Sequence, residues 1–204
     1  MPRSHPVFAR AYERISTVLN RAGEIDHRRE LAAGSIGRVL EPGAGNGLNF
    51  EHYPDGVEVV AVEPEPTMLR LAAERARQAR VPVRLVRGAA EALPFPDRSF
   101  DTVVVSLVLC SVSDPAAAVS EFRRVLRPGG TVRFLEHVRS ESRPWATVQD
   151  ALAVPWSWFA GGCHPNRDSV AALRRAGFRL EGRRFPFGPP SPCRPHVLGV
   201  ASLP

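Results

Sequence analysis

Apolar and polar positions along this chain follow two different periods. Near the start, Val7, Phe8, Ala11, Ile15, Val18 and Leu19 recur at helical spacing, which predicts an amphipathic helix over 6–20. A charged helix over 24–33 follows, and Gly34, Ser35 and Gly37 then break the pattern. From there short apolar runs take over, at 38–41, 57–63, 83–86, 102–109, 131–136, 178–184 and 197–201, each predicted as a strand. The run over 102–109 is almost entirely apolar, as expected of a strand buried on both faces. Helical patterns lie between the runs, at 48–53, 68–80 and 115–126, and from Asn166 or Asp168 to Arg175. Thr67 is the expected N-cap of the helix over 68–80, and Asp114 of the helix that Pro115 opens. The segment 140–159 reads as helix or lid and holds Trp145, Trp156 and Trp158. The stretch 185–195 contains five prolines and is predicted as an irregular wall or lid over a pocket.

Seven strands interleaved with helices predict an α/β fold. Open sheets of this kind bind ligands beyond the carboxyl ends of their strands. Three sequence features stand at such ends. Gly43, Gly45 and Gly47 follow the first strand, where a tight loop runs toward a helix start and free N–H groups can meet a polar ligand. Their spacing is G-x-G-x-G rather than the dinucleotide pattern G-x-G-x-x-G, and a glycine loop alone is weak evidence of a cofactor. Glu63 closes the second strand, where an acid can accept hydrogen bonds from ribose hydroxyls. Ser106 and Leu107 fall at the end of the fourth.

With these residues in view, Leu40-Glu41-Pro42-Gly43-Ala44-Gly45-Asn46-Gly47 resembles the first motif of class I S-adenosylmethionine-dependent methyltransferases, and Glu63 stands where that family carries its ribose-binding acid. The stretch from Gly88 to Asp101 resembles the family's Gly-Asp-Ala-x-x-Leu-Pro-Phe-x-x-x-x-Phe-Asp, with Ala89 in place of the Asp. Leu126-Arg127-Pro128-Gly129-Gly130 is a further marker. The resemblance implies a Rossmann-like seven-stranded sheet of order 3-2-1-4-5-7-6, strand 7 antiparallel, with N-terminal lid helices. It also implies S-adenosylmethionine as cofactor and S-adenosylhomocysteine as product. Carried over residue by residue, the cofactor contacts are Tyr12, Glu41, Gly43, Ala44, Gly45, Asn46, Glu63, Pro64, Met68, Ala89, Ala90, Glu91, Ser106 and Leu107. Three of these have plainer readings: Tyr12 as packing between helix and domain, Met68 as core filling, and Glu91 as a solvated loop charge. One domain over 1–204 is expected, with a helical lid at 1–33, a cofactor-binding core at 36–139, and an acceptor-side lid with the last two strands at 140–204.

Composition refines this picture. At 204 residues, 44% hydrophobic and 24% charged, the chain suits a single globular domain. A net charge of +6 invites a nucleic-acid partner, but every basic residue is arginine, spread without long runs or interleaved stacking aromatics, so none is expected. No apolar run approaches the roughly 18 residues of a membrane span, and a cytoplasmic protein, monomer or homodimer, is expected. Cys110, Cys163 and Cys193 are odd in number and far apart, which argues against a disulfide framework and against a Cys-x-x-Cys zinc site, and no metal is expected.

Longer phrases narrow the resemblance: Leu107-Val108-Leu109-Cys110-Ser111-Val112, Glu136-His137-Val138, Gly162-Cys163 and Arg194-Pro195-His196. Together with the first motif they resemble the methyltransferase-like 7 group of thiol methyltransferases and, less fully, the ubiquinone/menaquinone C-methyltransferases. The chain as read shows no counterpart of the hydrophobic anchor of the animal members, so membrane attachment is not carried over. The resemblance implies methyl transfer to a small, apolar acceptor, a thiol among the candidates. O- or C-methylation of a phenol or quinol stays open, as does a cofactor-binding regulator without turnover. His137, at the end of the fifth strand, is the candidate catalytic residue, as base or orienting group, or else a His bonded to nearby backbone. Cys110, Trp145, Arg194 and His196 are the acceptor-side candidates, with packing as their plainer role.

Overall fold

The computed structural model describes Glu13, Ser16 and residues 23–204, Phe159 by its backbone alone. The predicted helix over 6–20, Tyr12 included, otherwise lies outside the described residues. The elements that follow are α1 (Ile25–Ala33), β1 (Arg38–Pro42), β2 (Glu58–Glu63), α2 (Pro66–Ala76), β3 (Val83–Arg87), β4 (Phe100–Ser106), α3 (Pro115–Val125), β5 (Leu126–His137), α4 (Arg143–Phe159), α5 (Ser169–Arg175), β6 (Arg179–Pro186) and β7 (Pro195–Ser202).

The seven strands form one sheet in the order β3-β2-β1-β4-β5-β7-β6, as the resemblance implied. Pairing is parallel from β3 across to β5, and β7 runs antiparallel to both β5 and β6. Successive strand residues enter opposite layers, as the pleat requires. Leu40, Val60, Val62, Val103 and Val105 join one core with Val119 and Phe122 of α3 and Leu173 of α5. Val39, Val59, Ala61 and Val104 join the other with Leu31 of α1 and Ala72 of α2. The parallel strands are thus covered on both faces, which leaves their carboxyl ends as the place for a ligand.

Several boundaries differ from the sequence reading. The helix predicted over 48–53 is a single 3-10 turn, Phe50–His52, since so short a segment between Gly47 and Pro54 cannot offset the cost of helix nucleation. The cap of α2 is Glu65, not Thr67: its Oε2 accepts from the N–H groups of Thr67 and Met68 at 2.6 and 2.8 Å, and Pro66 takes the first helical position. Asp114 and Asp168 do cap α3 and α5. β5 begins at Leu126, opposite Phe100, and its regular register starts only at Thr131, opposite Thr102, so the Arg127–Gly130 marker is an irregularity inside a strand. The proline-rich stretch is regular at both ends, where Pro186 pairs with Pro195. Prolines are tolerated at strand ends because the ladder needs no donor there. No helix among the described residues is long and apolar enough to cross a membrane.

Candidate active site

The loop after β1 is shaped by two glycines. Gly43 has φ +67°, and a Cβ there would sit 2.7 Å from Val108 Cγ2, so only glycine lets β1 pass this close to the loop after β4. Gly45, with φ +57°, is the opposite case: a Cβ would meet nothing within 4 Å. Its surface faces open space, a cradle that a side chain would fill. The Gly45 N–H donates to Glu63 Oε2 at 2.9 Å, and the Glu65 N–H donates to Glu63 Oε1 at the same distance. Each carboxylate oxygen keeps accepting capacity for a further donor. Burial pushes the Glu63 carboxyl above its ordinary value, against these two bonds, so further donors would be well received there. Ala44 and Asn46 are buried, and the Asn46 side chain bonds Glu13 and Ser16, the two described residues of the N-terminal segment. Arg75 of α2 closes this corner through the Asn46 carbonyl at 2.8 Å and Glu13 at 2.7 Å.

Beneath the loop lies a polar network that sequence reasoning missed. The Arg28 guanidinium, on α1, donates to Glu24, Asn49 Oδ1 and Ser106 Oγ at 3.0, 3.0 and 3.1 Å. Asn49 and Tyr53 each donate to one oxygen of Glu41 at 2.7 Å. Glu41 is thus held by protein groups on both oxygens. Burial pushes its carboxyl from 4.5 to about 7, against the bonds from Tyr53 and Asn49 and the Arg28 charge. A carboxyl that grips its proton more tightly folded than unfolded stabilises the fold fully below the unfolded value and loses that contribution as pH rises through the folded one. At about 1.4 kcal/mol per pH unit, the loss between those values is on the order of 3 kcal/mol. Glu41→Gln is therefore expected to flatten stability against pH across this window in chemical denaturation series. An unchanged slope would place the titration elsewhere.

Around the β2 and β3 ends, Met68 is 5% and Ala90 4% exposed, Pro64 and Ala89 are half-buried, and Ala89 pairs with Ala92 in a one-bridge turn. Glu91 Oε1 accepts from the Ser113 N–H at 3.0 Å, which ties this turn to the loop after β4. Leu107 opens that loop with φ +58°, a conformation rare for a residue with a side chain and typical of sites under functional constraint. The next three N–H groups, of Val108, Leu109 and Cys110, all donate to the fully buried Glu136 of β5 at 2.8, 2.8 and 3.2 Å.

The cysteines, far apart along the chain, converge in the fold. Cys110 follows β4, Cys163 lies between α4 and α5, and Cys193 precedes β7; all three are buried free thiols packed in one cluster. Distance along the chain concealed this, because three loops meet at one end of the sheet. Cys163 Sγ lies 3.3 Å from His137 Nδ1 and 3.6 Å from Cys193 Sγ. Cys110 and Cys193 are pulled below the usual thiol range chiefly by sulfur hydrogen bonding with Cys163, against burial, with His137 nearby adding to it; Cys193 falls to about 6. Burial disfavours a charge on His137, but the neighbouring thiols outweigh it and raise its proton affinity.

Beyond His137 an open groove of about 550 Å³ is lined by Trp145, Arg184, Phe185, Arg194 and His196 among others. Three of the four acceptor-side candidates, Trp145, Arg194 and His196, share this groove, whereas Cys110 belongs to the thiol cluster. The His196 ring meets His137 edge to face, with centroids 4.5 Å apart. Its Nδ1–H donates to the Arg194 carbonyl at 2.9 Å, and burial beside His137 lowers its pKa to about 3, so it is neutral. Of the other tryptophans, Trp156 packs on the thiols and Trp158 is 78% exposed.

A seven-stranded sheet of this order, with a glycine loop after β1 and an acid closing β2, defines a class I methyltransferase architecture. Comparison with known proteins agrees. A methyltransferase domain family matches residues 40–134. The human thiol S-methyltransferase TMT1A is 37% identical over 181 residues, covering 83% of this chain and 72% of its own. A demethylmenaquinone methyltransferase of Renibacterium salmoninarum is 36% identical over 132 residues, 62% of this chain and 54% of its own. The crystal structure of a SAM-dependent methyltransferase from Thermotoga maritima superposes with a TM-score of 0.70 at 22% identity, covering 97% of this chain and 96% of the other. The chain belongs to the S-adenosylmethionine-dependent methyltransferases.

Proposed function

We propose that this chain methylates a small thiol that approaches His137 from the groove beside His196. The observation that carries the cofactor half is the pairing of Glu63 with the Gly45 N–H, which brings a buried carboxylate with spare accepting capacity against an open glycine surface. Glu63 would receive the ribose hydroxyls, and the backbone of Gly43–Asn46 would wrap the methionine part. Met68, Pro64 and the Ala89–Ala90 backbone would flank the adenine, and Ser106 and Leu107 would close the floor. Glu41 and Glu91, each bonded to protein groups, serve to hold loops in this reading rather than to touch the ligand.

S-adenosylmethionine, when bound, supplies a methyl group already activated by its sulfonium. The chain's own task is to align the acceptor and exclude water. A thiol ionises near neutral pH and needs no strong base. His137, in contact with Cys163 and the His196 ring, would orient that acceptor. The thiol assignment is supported by the relatives at 35–37% identity that methylate thiols.

Two measurements test this. Glu63→Ala is expected to weaken S-adenosylmethionine binding by about 1–3 kcal/mol through loss of a hydrogen-bonded charge. Calorimetric titration reads it, and unchanged affinity would remove the ribose assignment. Product detection over thiols, phenols and quinols should show methylated thiol. Turnover confined to phenols or quinols would overturn the acceptor class, and cofactor binding without any product would favour a regulator.

A further inference from the structure

We propose that Cys110, His137, Cys163 and Cys193 form a binding site for one thiophilic divalent cation of the zinc class. Four donors, three sulfur and one nitrogen, are the ligand set of structural zinc. A tetrahedral zinc with Zn–S near 2.3 Å and Zn–N near 2.0 Å places its ligand sulfurs about 3.8 Å apart and sulfur from nitrogen about 3.5 Å apart. Cys163 Sγ stands 3.6 Å from Cys193 Sγ and 3.3 Å from His137 Nδ1. The donor atoms of Cys110, His137 and Cys163 all lie within 4.8 Å of one another, and Cys193 Sγ, outside that set, adjoins it through Cys163 and would close the fourth position by a small shift of its loop. A sulfur separation of 3.6 Å is far longer than a disulfide bond, so these are thiols gathered without being joined.

The surroundings are built to hold the donors still. Glu136 fixes the Cys110 N–H, and the His164 N–H bonds the Cys110 carbonyl at 2.8 Å, locking the loop of Cys163 onto that of Cys110. Arg167 donates to the Leu109 and Val112 carbonyls on either side. Buried Gln149 grips the carbonyls of Val138, Pro165 and Pro192, one or two residues from His137, Cys163 and Cys193. A preorganised outer layer of this kind is what metal ligands require. The Trp156 indole packs on the same cluster, and its buried N–H finds no acceptor among the described residues. On binding, each coordinating S–H releases its proton to solvent and keeps the electron pair for the metal bond.

The test uses the reduced, metal-free full chain titrated with Co2+ and then Zn2+. One Co2+ per chain is expected, with a thiolate-to-cobalt charge-transfer band that one equivalent of Zn2+ abolishes, and Zn2+ should raise the unfolding temperature. Cys163→Ser and His137→Ala should each weaken Zn2+ binding by about 100-fold or more. His27→Ala, on the far side of Phe185, should leave it unchanged. Thiol titration of the unmutated protein supplies the same answer if the variants do not fold: Zn2+ should protect three thiols. Absence of a charge-transfer band, Zn2+ affinity unchanged in Cys163→Ser, or thiols that react equally with and without Zn2+ would overturn the site. Oxidation to a Cys163–Cys193 disulfide in a protein that takes up no metal would do the same. S-adenosylmethionine binding, measured on the same samples, reports on the methyltransferase reading separately.

Discussion

Glu136→Ala is expected to destabilise the protein by about 3–5 kcal/mol, because it strands three buried N–H groups at once. Val108, Leu109 and Cys110 have these donors directed at one carboxylate, which is fully buried. An unpaired buried donor costs about 1–3 kcal/mol, and small local shifts or an entering water recover part of the sum. Burial, followed by the neighbouring Cys110, pushes the Glu136 carboxyl well above its ordinary value, with the backbone donors opposing. Glu136→Gln is the informative companion. Its carbonyl oxygen still accepts from Val108 and Leu109, while its amide faces the Cys110 N–H, donor against donor, so about 1–2 kcal/mol should be lost. Denaturant unfolding measures both variants. Amide exchange at residues 108–110 should quicken selectively in Glu136→Gln. If Glu136→Ala lost less than about 1 kcal/mol, the carboxylate would not be what holds this loop.

That loop shows why part of this protein was readable from its sequence and part was not. The sheet order was legible only through the family resemblance that the motif phrases carry; the pattern of runs supplied the alternation of strands and helices. The glycine loop after β1 and the acid closing β2 are set by backbone conformation and strand ends, and both stand where expected. Burial of β4 on both faces was legible as well, in the almost unbroken apolar run over 102–109. Short-range competition was harder. Thr67 has the chemistry of a cap, yet Pro66 fits the first helical turn and moves the cap to Glu65. The candidate site was legible on its cofactor side and dim on the other. Arg28, Glu136 and Gln149 carry no motif, because their partners are carbonyls, N–H groups and side chains supplied by remote segments. A buried charge in the apolar run of β5 was the available hint for Glu136, since charges are seldom left in such strands without partners. The thiol cluster needs three loops to meet, and spacing along the chain, here 53 residues from Cys110 to Cys163, says nothing of that.

The other large effect is expected at Gln149, whose single amide fastens three loops to the end of β5. Its Oε1 accepts from the Ser140 N–H at 2.7 Å, and its Nε2 donates to the carbonyls of Val138, Pro165 and Pro192 at 3.3, 2.9 and 2.8 Å. Two amide hydrogens serve three carbonyls, so one bond is shared. Gln149→Leu keeps much of the volume and removes every bond, leaving the half-buried Ser140 N–H and three carbonyls short of a partner; about 3–4 kcal/mol should be lost. Gln149→Glu separates polarity from packing. Near neutral pH a carboxylate there would face three carbonyl oxygens with no donor to give, so its proton would be held more tightly folded than unfolded. Stability of Gln149→Glu should therefore be highest below the ordinary carboxyl range and fall as pH rises through the raised folded value. Gln149→Leu should show no such dependence beyond that of the parent. Equal stability of the two variants at pH 7 would mean that water, rather than the amide, satisfies these carbonyls, and the loops bearing Cys163 and Cys193 would then owe their position to packing alone.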